Sequence, residues 1–235
     1  MDREEAKNRR EKLNNPNVLF KNDEEIKNNK EELPWEHYQE LYAKLDPAEA
    51  ADRCQVEYDA EKGGFAIRLM GVDYRISHPE FIVETDHEGY AAVRDSIPAK
   101  ILVARFLLEG KFAPATGNFV TYRDVPWGEL YFRPFQGRCL MRLAFGYGFK
   151  LPVLKAIFEK LGATPVKTGD VGYRYEFINN VEMQVLLWGG DDEFPPSSQI
   201  LFAENVTSAF GAEDMAVMGD VSINTFKAME KELKQ

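Results

Sequence analysis

Three consecutive carboxylates, Asp191, Asp192 and Glu193, follow a predicted strand that ends at Trp188. In an extended segment Asp191 and Glu193 point to one side and Asp192 to the other. Two carboxylates on one side can hold Mg²⁺ or Ca²⁺, or one of them can act as a general base. Asp191 and Glu193 are therefore the candidate catalytic and metal-binding residues of residues 189–197, the acidic loop. The alternative is a solvated acidic turn, which such runs form more often.

Four arginines, Arg123, Arg133, Arg138 and Arg142, are candidate ligands for an anion. Arg138 and Arg142 lie four residues apart on one predicted helix, where like charges repel each other by about 0.2–0.5 kcal/mol. A bound phosphate or carboxylate compensates this repulsion, because the planar guanidinium group matches both anions with paired hydrogen bonds. A carboxylate of the acidic loop is the alternative partner, which we prefer. Asp192 joins the arginines as a candidate ligand-binding residue.

The cysteines and histidines predict neither a metal site nor an activated nucleophile. Cys54 and Cys139 lie far apart in the sequence, with no second Cys or His at metal-ligand spacing. We therefore expect two reduced structural thiols. His37, His78 and His87 form no ligand pair and are expected at the surface.

The composition is that of an ordinary globular protein. The chain has 235 residues, of which 44% are hydrophobic and 29% charged, with a net charge of −10. We expect no membrane partner and a cytoplasmic location, because the sequence shows neither a long apolar run nor the apolar core of a signal peptide. We also expect no nucleic acid partner, since such binding requires many phosphates to be neutralised together.

Charge is unevenly distributed along this acidic chain. Residues 120–160, the basic segment, carry 7 basic and 3 acidic side chains, whereas residues 191–235 carry 3 basic and 9 acidic ones. A small anionic ligand, or an acidic surface of the protein itself, is the expected partner of the basic segment.

Two hairpins are predicted between helices. The first turns at Met70-Gly71, and a two-residue loop places its apolar residues on one face through the pairs Leu69 with Val72, Ile67 with Tyr74, and Phe65 with Ile76. For the second hairpin, a two-residue turn at Asn179-Asn180 would place apolar and polar residues together on the same face of the sheet. We therefore predict a three-residue loop that includes Val181, with Phe177 opposite Met183.

Apolar spacing and helix-end residues predict helices over about 34–45, 47–53, 96–110, 134–147, 151–162 and 212–233. Gly219 inside the last helix marks either a close approach or a break. Hairpins grouped apart from helices indicate an α+β fold, a single domain over 33–235 with antiparallel hairpins packed against helices. Residues 1–32, rich in charge and asparagine, are predicted to form a mobile arm.

Three stretches are similar to an uncharacterised prokaryotic family, domain of unknown function 3786. They are Ala115-Thr116-Gly117-Asn118-Phe119-Val120-Thr121-Tyr122-Arg123-Asp124, then Trp188 to Ser197 followed by Gln199-Ile200-Leu201-Phe202, and Ala212-Glu213-Asp214. The resemblance covers about 34–233 and implies no established activity or cofactor. Relatives joined to a four-cysteine iron–sulfur module suggest corrinoid or one-carbon metabolism in anaerobes, but this chain lacks that module.

These observations leave three functional hypotheses. The leading one is a binding or accessory module for a small anionic ligand or cofactor, with its site where the acidic loop approaches residues 123–142. The second is a metal-assisted or acid/base enzyme that uses the acidic loop, with Arg138 or Arg142 holding the substrate. The third is a homo-oligomer without a ligand, formed through the methionine-lined last helix.

Overall fold

A computed structural model describes the backbone of residues 23–234 and the side chains of residues 33–234. The helices are α1 (Asp23–Tyr42), α2 (Pro47–Cys54), α3 (Ala92–Asp95), α4 (Ile97–Glu109), α5 (Gly128–Phe135), α6 (Arg142–Tyr147), α7 (Leu151–Lys160), α8 (Val206–Ala209) and α9 (Ala212–Glu232). The strands are β1 (Tyr58–Asp59), β2 (Gly64–Leu69), β3 (Val72–Ser77), β4 (Val83–Glu84), β5 (Phe119–Thr121), β6 (Thr164–Pro165), β7 (Val171–Ile178), β8 (Val181–Trp188) and β9 (Ser197–Ala203).

One antiparallel sheet joins these strands in the order β4-β3-β2-β7-β8-β9-β5, with β1 paired to β2 and β6 to β7. A single hydrophobic core connects the sheet with the helices. The predicted α+β class and the single domain are confirmed. Within the described range, none of the helices combines the length and apolarity needed to span a bilayer.

The first hairpin has the predicted register. Leu69 pairs with Val72, Ile67 with Tyr74, and Phe65 with Ile76. Met70 and Gly71 have φ values of 47° and 79°, the left-handed conformation of the tight turns that suit twisted hairpins.

The three-residue loop predicted for the second hairpin is wrong. Ile178 pairs with Val181 across a two-residue turn of Asn179 and Asn180, and Tyr175 pairs with Met183. The register shifts between Glu176 and Ile178, so Phe177 lies in a bulge. A bulge adds one residue to one strand and restores the buried face without a longer loop.

The basic segment contains a longer helical region than predicted. It begins at Gly128 rather than near residue 134, and a π-helical stretch, Gln136–Met141, joins α5 to α6. A Cβ on Gly128 would collide with the Tyr122 carbonyl, so glycine lets the helix start against that turn. Pro134 lacks a backbone N–H, which interrupts the regular hydrogen bonding just before the π-helical stretch.

Two further predictions concern the ends of the domain. Helix α1 begins at Asp23, so residues 23–32 of the predicted arm are helical, and residues 1–22 lie outside the described residues. Helix α9 has the predicted position, and Gly219 marks a close approach, since a Cβ there would lie 2.7 Å from Cys139 Sγ.

Candidate functional site

A cavity of about 280 Å³ lies where β5, α5 and the π-helical stretch meet the ends of β8 and β9. Its lining is mainly aromatic and aliphatic, with a few polar side chains. The lining residues are Thr121, Tyr122, Arg123, Phe132, Phe135, Leu140, Trp188, Ser198, Gln199 and Ile200. Apolar walls with a small number of polar groups are typical of small-molecule sites.

A short turn after β5 presents Arg123 to this cavity. Strand β5 is fixed to β9 by pairs that include Thr121 with Leu201. The Asp124 carboxylate accepts hydrogen bonds from the Thr121 hydroxyl at 2.7 Å and the Thr121 backbone N–H at 2.8 Å. These bonds lower the pKa of Asp124, because they stabilise its charged form. The turn is therefore held on both sides of Arg123.

The Arg123 guanidinium lies over the ring of Phe132, with Cζ 3.8 Å from the ring centroid. Its carboxylate partner is Glu129, at 3.5 Å, and both side chains are more than half exposed to solvent. An exposed ion pair of this length contributes between 0 and about 1 kcal/mol. The guanidinium is thus oriented by an aromatic ring but only weakly neutralised.

The floor of the cavity is an aromatic stack. The rings of Tyr122 and Phe135 are nearly parallel, at an interplanar angle of 3° and a centroid distance of 4.0 Å. The Tyr122 hydroxyl donates to the Ala212 carbonyl at 2.7 Å, so this polar group is already paired. Burial raises the pKa of Tyr122 to about 12. Tyr122 therefore supports the wall and is not an acid or base near neutral pH.

The π-helical stretch contacts β9 beside the cavity. The Ser198 hydroxyl donates to the Leu140 carbonyl at 2.7 Å. Single-turn π-helical segments occur frequently at functional sites, because they change the direction of side chains within a helix. Here the stretch places Phe135 before it and Leu140 within it on the same cavity wall.

Arg138 and Arg142 face another carboxylate, on α9. Both form ion pairs with Asp220, Arg142 at 2.6 Å, and Arg142 also donates to the Asn224 side chain at 2.7 Å. Asp220 is only 8% exposed. The repulsion between the two arginines is therefore compensated within the chain, by Asp220 and not by the acidic loop.

Arg138 also lines a second cavity, of about 430 Å³, between α1, α4 and α9. Its other charged groups include Arg105 and Asp214, which are 2.8 Å apart. Burial raises the pKa of Asp214, opposed by the neighbouring Arg105 charge. The buried charge of this cavity is therefore balanced within the protein.

The carboxylates of the acidic loop are exposed. Asp191 Oδ1 accepts hydrogen bonds from the backbone N–H groups of Glu193 at 2.9 Å and Phe194 at 2.7 Å. These bonds lower the pKa of Asp191 and make it a weaker base. Asp192 and Glu193 form no side-chain ion pair with residues 33–234. Across that described range, no group of three or more His, Cys, Asp or Glu side chains is placed to hold a metal ion.

The loop itself is packed against the end of α6. The Gly190 N–H donates to the Gly148 carbonyl at 3.2 Å, and a Cβ on Gly190 would lie 2.7 Å from Phe149. The loop therefore approaches the far end of the basic segment, while the strand that follows it reaches the cavity.

Cys54 and Cys139 are buried free thiols. Burial raises the pKa of Cys139 to about 12 and also raises that of Cys54. Thiols with raised pKa values are poor nucleophiles, which agrees with the structural role predicted for both.

The structure separates the predicted anion ligands. Arg123 lines the aromatic cavity. Arg138 and Arg142 pair with Asp220 on α9. The other two candidates are exposed, Arg133 on α5 and Asp192 on the acidic loop. The residues predicted from the sequence did not include the aromatic and amide groups of the cavity: Phe132, Trp188 and Gln199. Two of the similar stretches contain residues of the cavity: the first includes Thr121, Tyr122 and Arg123, and the second includes Trp188 and Gln199. This overlap was the signal in the sequence.

Comparison with known proteins gives one match. A family model described as Domain of unknown function (DUF3786) matches residues 46–225, which include every residue that lines the aromatic cavity. Comparisons with curated proteins and with solved structures give no significant match. Because the model matches more than half of the chain, the protein belongs to this family of unknown function.

Proposed function

We propose that the protein is a binding module for a small anionic ligand with a flat apolar body, held in the aromatic cavity. The observation that carries this proposal is Arg123, which is stacked on Phe132 at the edge of an apolar cavity and, among residues 33–234, forms its ion pair only with the exposed carboxylate of Glu129. A guanidinium group in this setting binds a carboxylate or phosphate with two parallel hydrogen bonds.

The shape of the cavity supports a small aromatic ligand. A volume of about 280 Å³ lies near the lower end of the range for small-molecule sites. Trp188 and Gln199 add an indole ring and an amide to its lining, and within residues 33–234 neither side chain forms a hydrogen bond. These groups are available to contact the body of the ligand, while Arg123 holds its charge.

The cytoplasmic location expected from the sequence stays a prediction.

Thermal-shift assays with phenyl phosphate and benzoate test the proposal, with benzamide as the uncharged analogue. We expect the two anions, but not benzamide, to raise the melting temperature, because a ligand that binds only the folded state stabilises it. Arg123→Gln should abolish the shift. Arg68→Gln is the matched control, since Arg68 is half exposed and paired with an exposed carboxylate, Asp73, as Arg123 is with Glu129, but lies outside the cavity.

Two results would contradict the proposal. One is a shift of equal size in wild type and the Arg123→Gln variant, which would place the anion elsewhere. The other is the absence of a shift with either anion at concentrations that saturate ordinary small-molecule sites.

A further inference from the structure

The outer face of the helical region formed by α5, the π-helical stretch and α6 exposes large apolar side chains. Leu130, Met141, Phe145 and Phe149 are 69%, 51%, 56% and 65% exposed. Met141 and Phe145 are four residues apart on the helical region, which places them on one side of it, and Phe149 lies in the turn that follows α6. We call these four residues the outer stripe.

The opposite face of the same helical region is buried in the hydrophobic core. Phe135, Cys139, Leu143 and Tyr147 are at most 1% exposed. The helical region is therefore apolar on both sides, although one apolar side is enough to hold a surface helix on its domain. Several large exposed apolar side chains on one element are typical of an interaction site.

Charges of opposite sign lie at the two ends of the outer stripe. Arg133, near Leu130, is exposed and forms no ion pair within residues 33–234. Asp192 and Glu193 lie at the other end, because their loop packs on Gly148 and Phe149. At 1.5 Å per residue, the span from Arg133 to Phe149 corresponds to about 24 Å.

We propose that a second copy of this chain covers the outer stripe in a two-fold symmetric dimer. A two-fold axis across the middle of the stripe runs the two helical regions antiparallel, so the basic end of each copy meets the acidic end of the other. Arg133 of each copy then faces Asp192 and Glu193 of the other copy, so the same contact forms once on each side of the axis. The opposite charges that stay apart within one chain are joined between two chains.

Gly137 lies near the middle of the outer stripe and lets two helices approach closely. A Cβ at this position would have no heavy atom within 4 Å, so the space beside it is open. The dimer does not depend on the ligand proposed for the aromatic cavity, since neither Arg123 nor Trp188 contributes to it.

Sedimentation equilibrium on the protein from residue 1 to residue 235 tests the dimer. We expect a monomer–dimer equilibrium that Phe145→Lys weakens by about tenfold or more, because a charge replaces an apolar residue near the centre of the interface. Phe112→Lys is the matched control, since Phe112 is 46% exposed and lies outside the helical region. Circular dichroism should show that both variants are folded.

A charge exchange tests the two-fold arrangement. Arg133→Glu and Glu193→Arg should each weaken the homodimer, because each places like charges together twice. An equimolar mixture of the two single variants should form a heterodimer of wild-type strength, since both contacts then join opposite charges. The double variant R133E/E193R should recover for the same reason.

A monomeric wild-type chain overturns the proposal, including the case in which the monomer binds vesicles of anionic lipid or another protein through the stripe. A dimer that Phe145→Lys leaves unchanged also overturns it, because the interface would then lie on another surface. Single charge variants that weaken the dimer without recovery in the mixture overturn the antiparallel arrangement.

Discussion

Arg123 and the pair formed by Arg138 and Arg142 belong to the same basic segment but have different surroundings. The pair binds Asp220, a carboxylate that is 8% exposed and belongs to the last helix. In the part of the chain that the structure describes, the carboxylate partner of Arg123 is Glu129, at 3.5 Å and largely in solvent, and the guanidinium lies over the ring of Phe132. An arginine that binds a buried carboxylate serves the fold, whereas an arginine with a weak exposed partner beside a cavity can bind a ligand.

Among the substitutions that test this comparison, replacement of Asp220 should change the free energy of unfolding most. Asp220→Asn removes the charged acceptor of both arginines, and we expect it to lower the free energy of unfolding by about 2–3 kcal/mol. Glu129→Gln is the control at Arg123 and should change it by less than about 0.5 kcal/mol. Urea denaturation measures both, and equal losses would erase the distinction between the two sites.

The next largest effect on stability is expected at Gly219, the residue before Asp220, which packs closely against Cys139. Gly219→Ala brings a Cβ to 2.7 Å from Cys139 Sγ, and we expect a loss of about 1–3 kcal/mol from overpacking. In a Cys139→Ala background the same change should cost less, because the sulfur is absent. Gly146→Ala, with no atom within 4 Å of the new Cβ, should stabilise the helix by up to about 1 kcal/mol. An unchanged cost in the Cys139→Ala background would refute the steric explanation.

The hydrogen bond between Ser198 on β9 and Leu140 in the π-helical stretch should contribute less to the free energy of unfolding. Ser198→Ala leaves the Leu140 carbonyl without its hydroxyl donor, and we expect a loss of about 1 kcal/mol in urea denaturation. Ser197→Ala, at an exposed position on the same strand, serves as the control and should be neutral. A neutral Ser198→Ala would show that the π-helical stretch is held without this bond.

The smallest effect concerns pH at the turn that holds Arg123. The pKa of Asp124 is lowered in the folded protein by hydrogen bonds from Thr121, so its stabilising effect is present above the ordinary aspartate pKa, about 3.9. This contribution is lost as the pH falls through the lowered folded value. Asp124→Asn should therefore lose slightly less stability on acidification than wild type, as measured by melting temperature against pH. A larger loss in the variant would contradict this sign.

Local pairings were predictable and longer-range ones were not. The Leu69 with Val72 register follows from a two-residue turn and an alternating pattern, which neighbours in the chain fix together. The predicted loop of the second hairpin is wrong because a bulge at Phe177 changes the register by one residue, and the Met70 N–H that donates to the Phe177 carbonyl belongs to the turn of the first hairpin. The same limit applied to the arginines, whose compensating carboxylate is about 80 residues away in the sequence.

By itself, the sequence determined the α+β class, the register of the first hairpin, and the positions of helices α2, α4, α7 and α9 to within a few residues. It also showed that basic charge is concentrated in residues 120–160. These depend on local periodicity and turn chemistry. The tertiary structure decided which arginines pair with a buried carboxylate, Asp220, and which one pairs with an exposed carboxylate beside a cavity. It also placed Trp188 and Gln199 beside Arg123, and left an apolar stripe on the surface. Contacts between distant segments depend on how the sheet and helices pack, and no spacing within one segment encodes them.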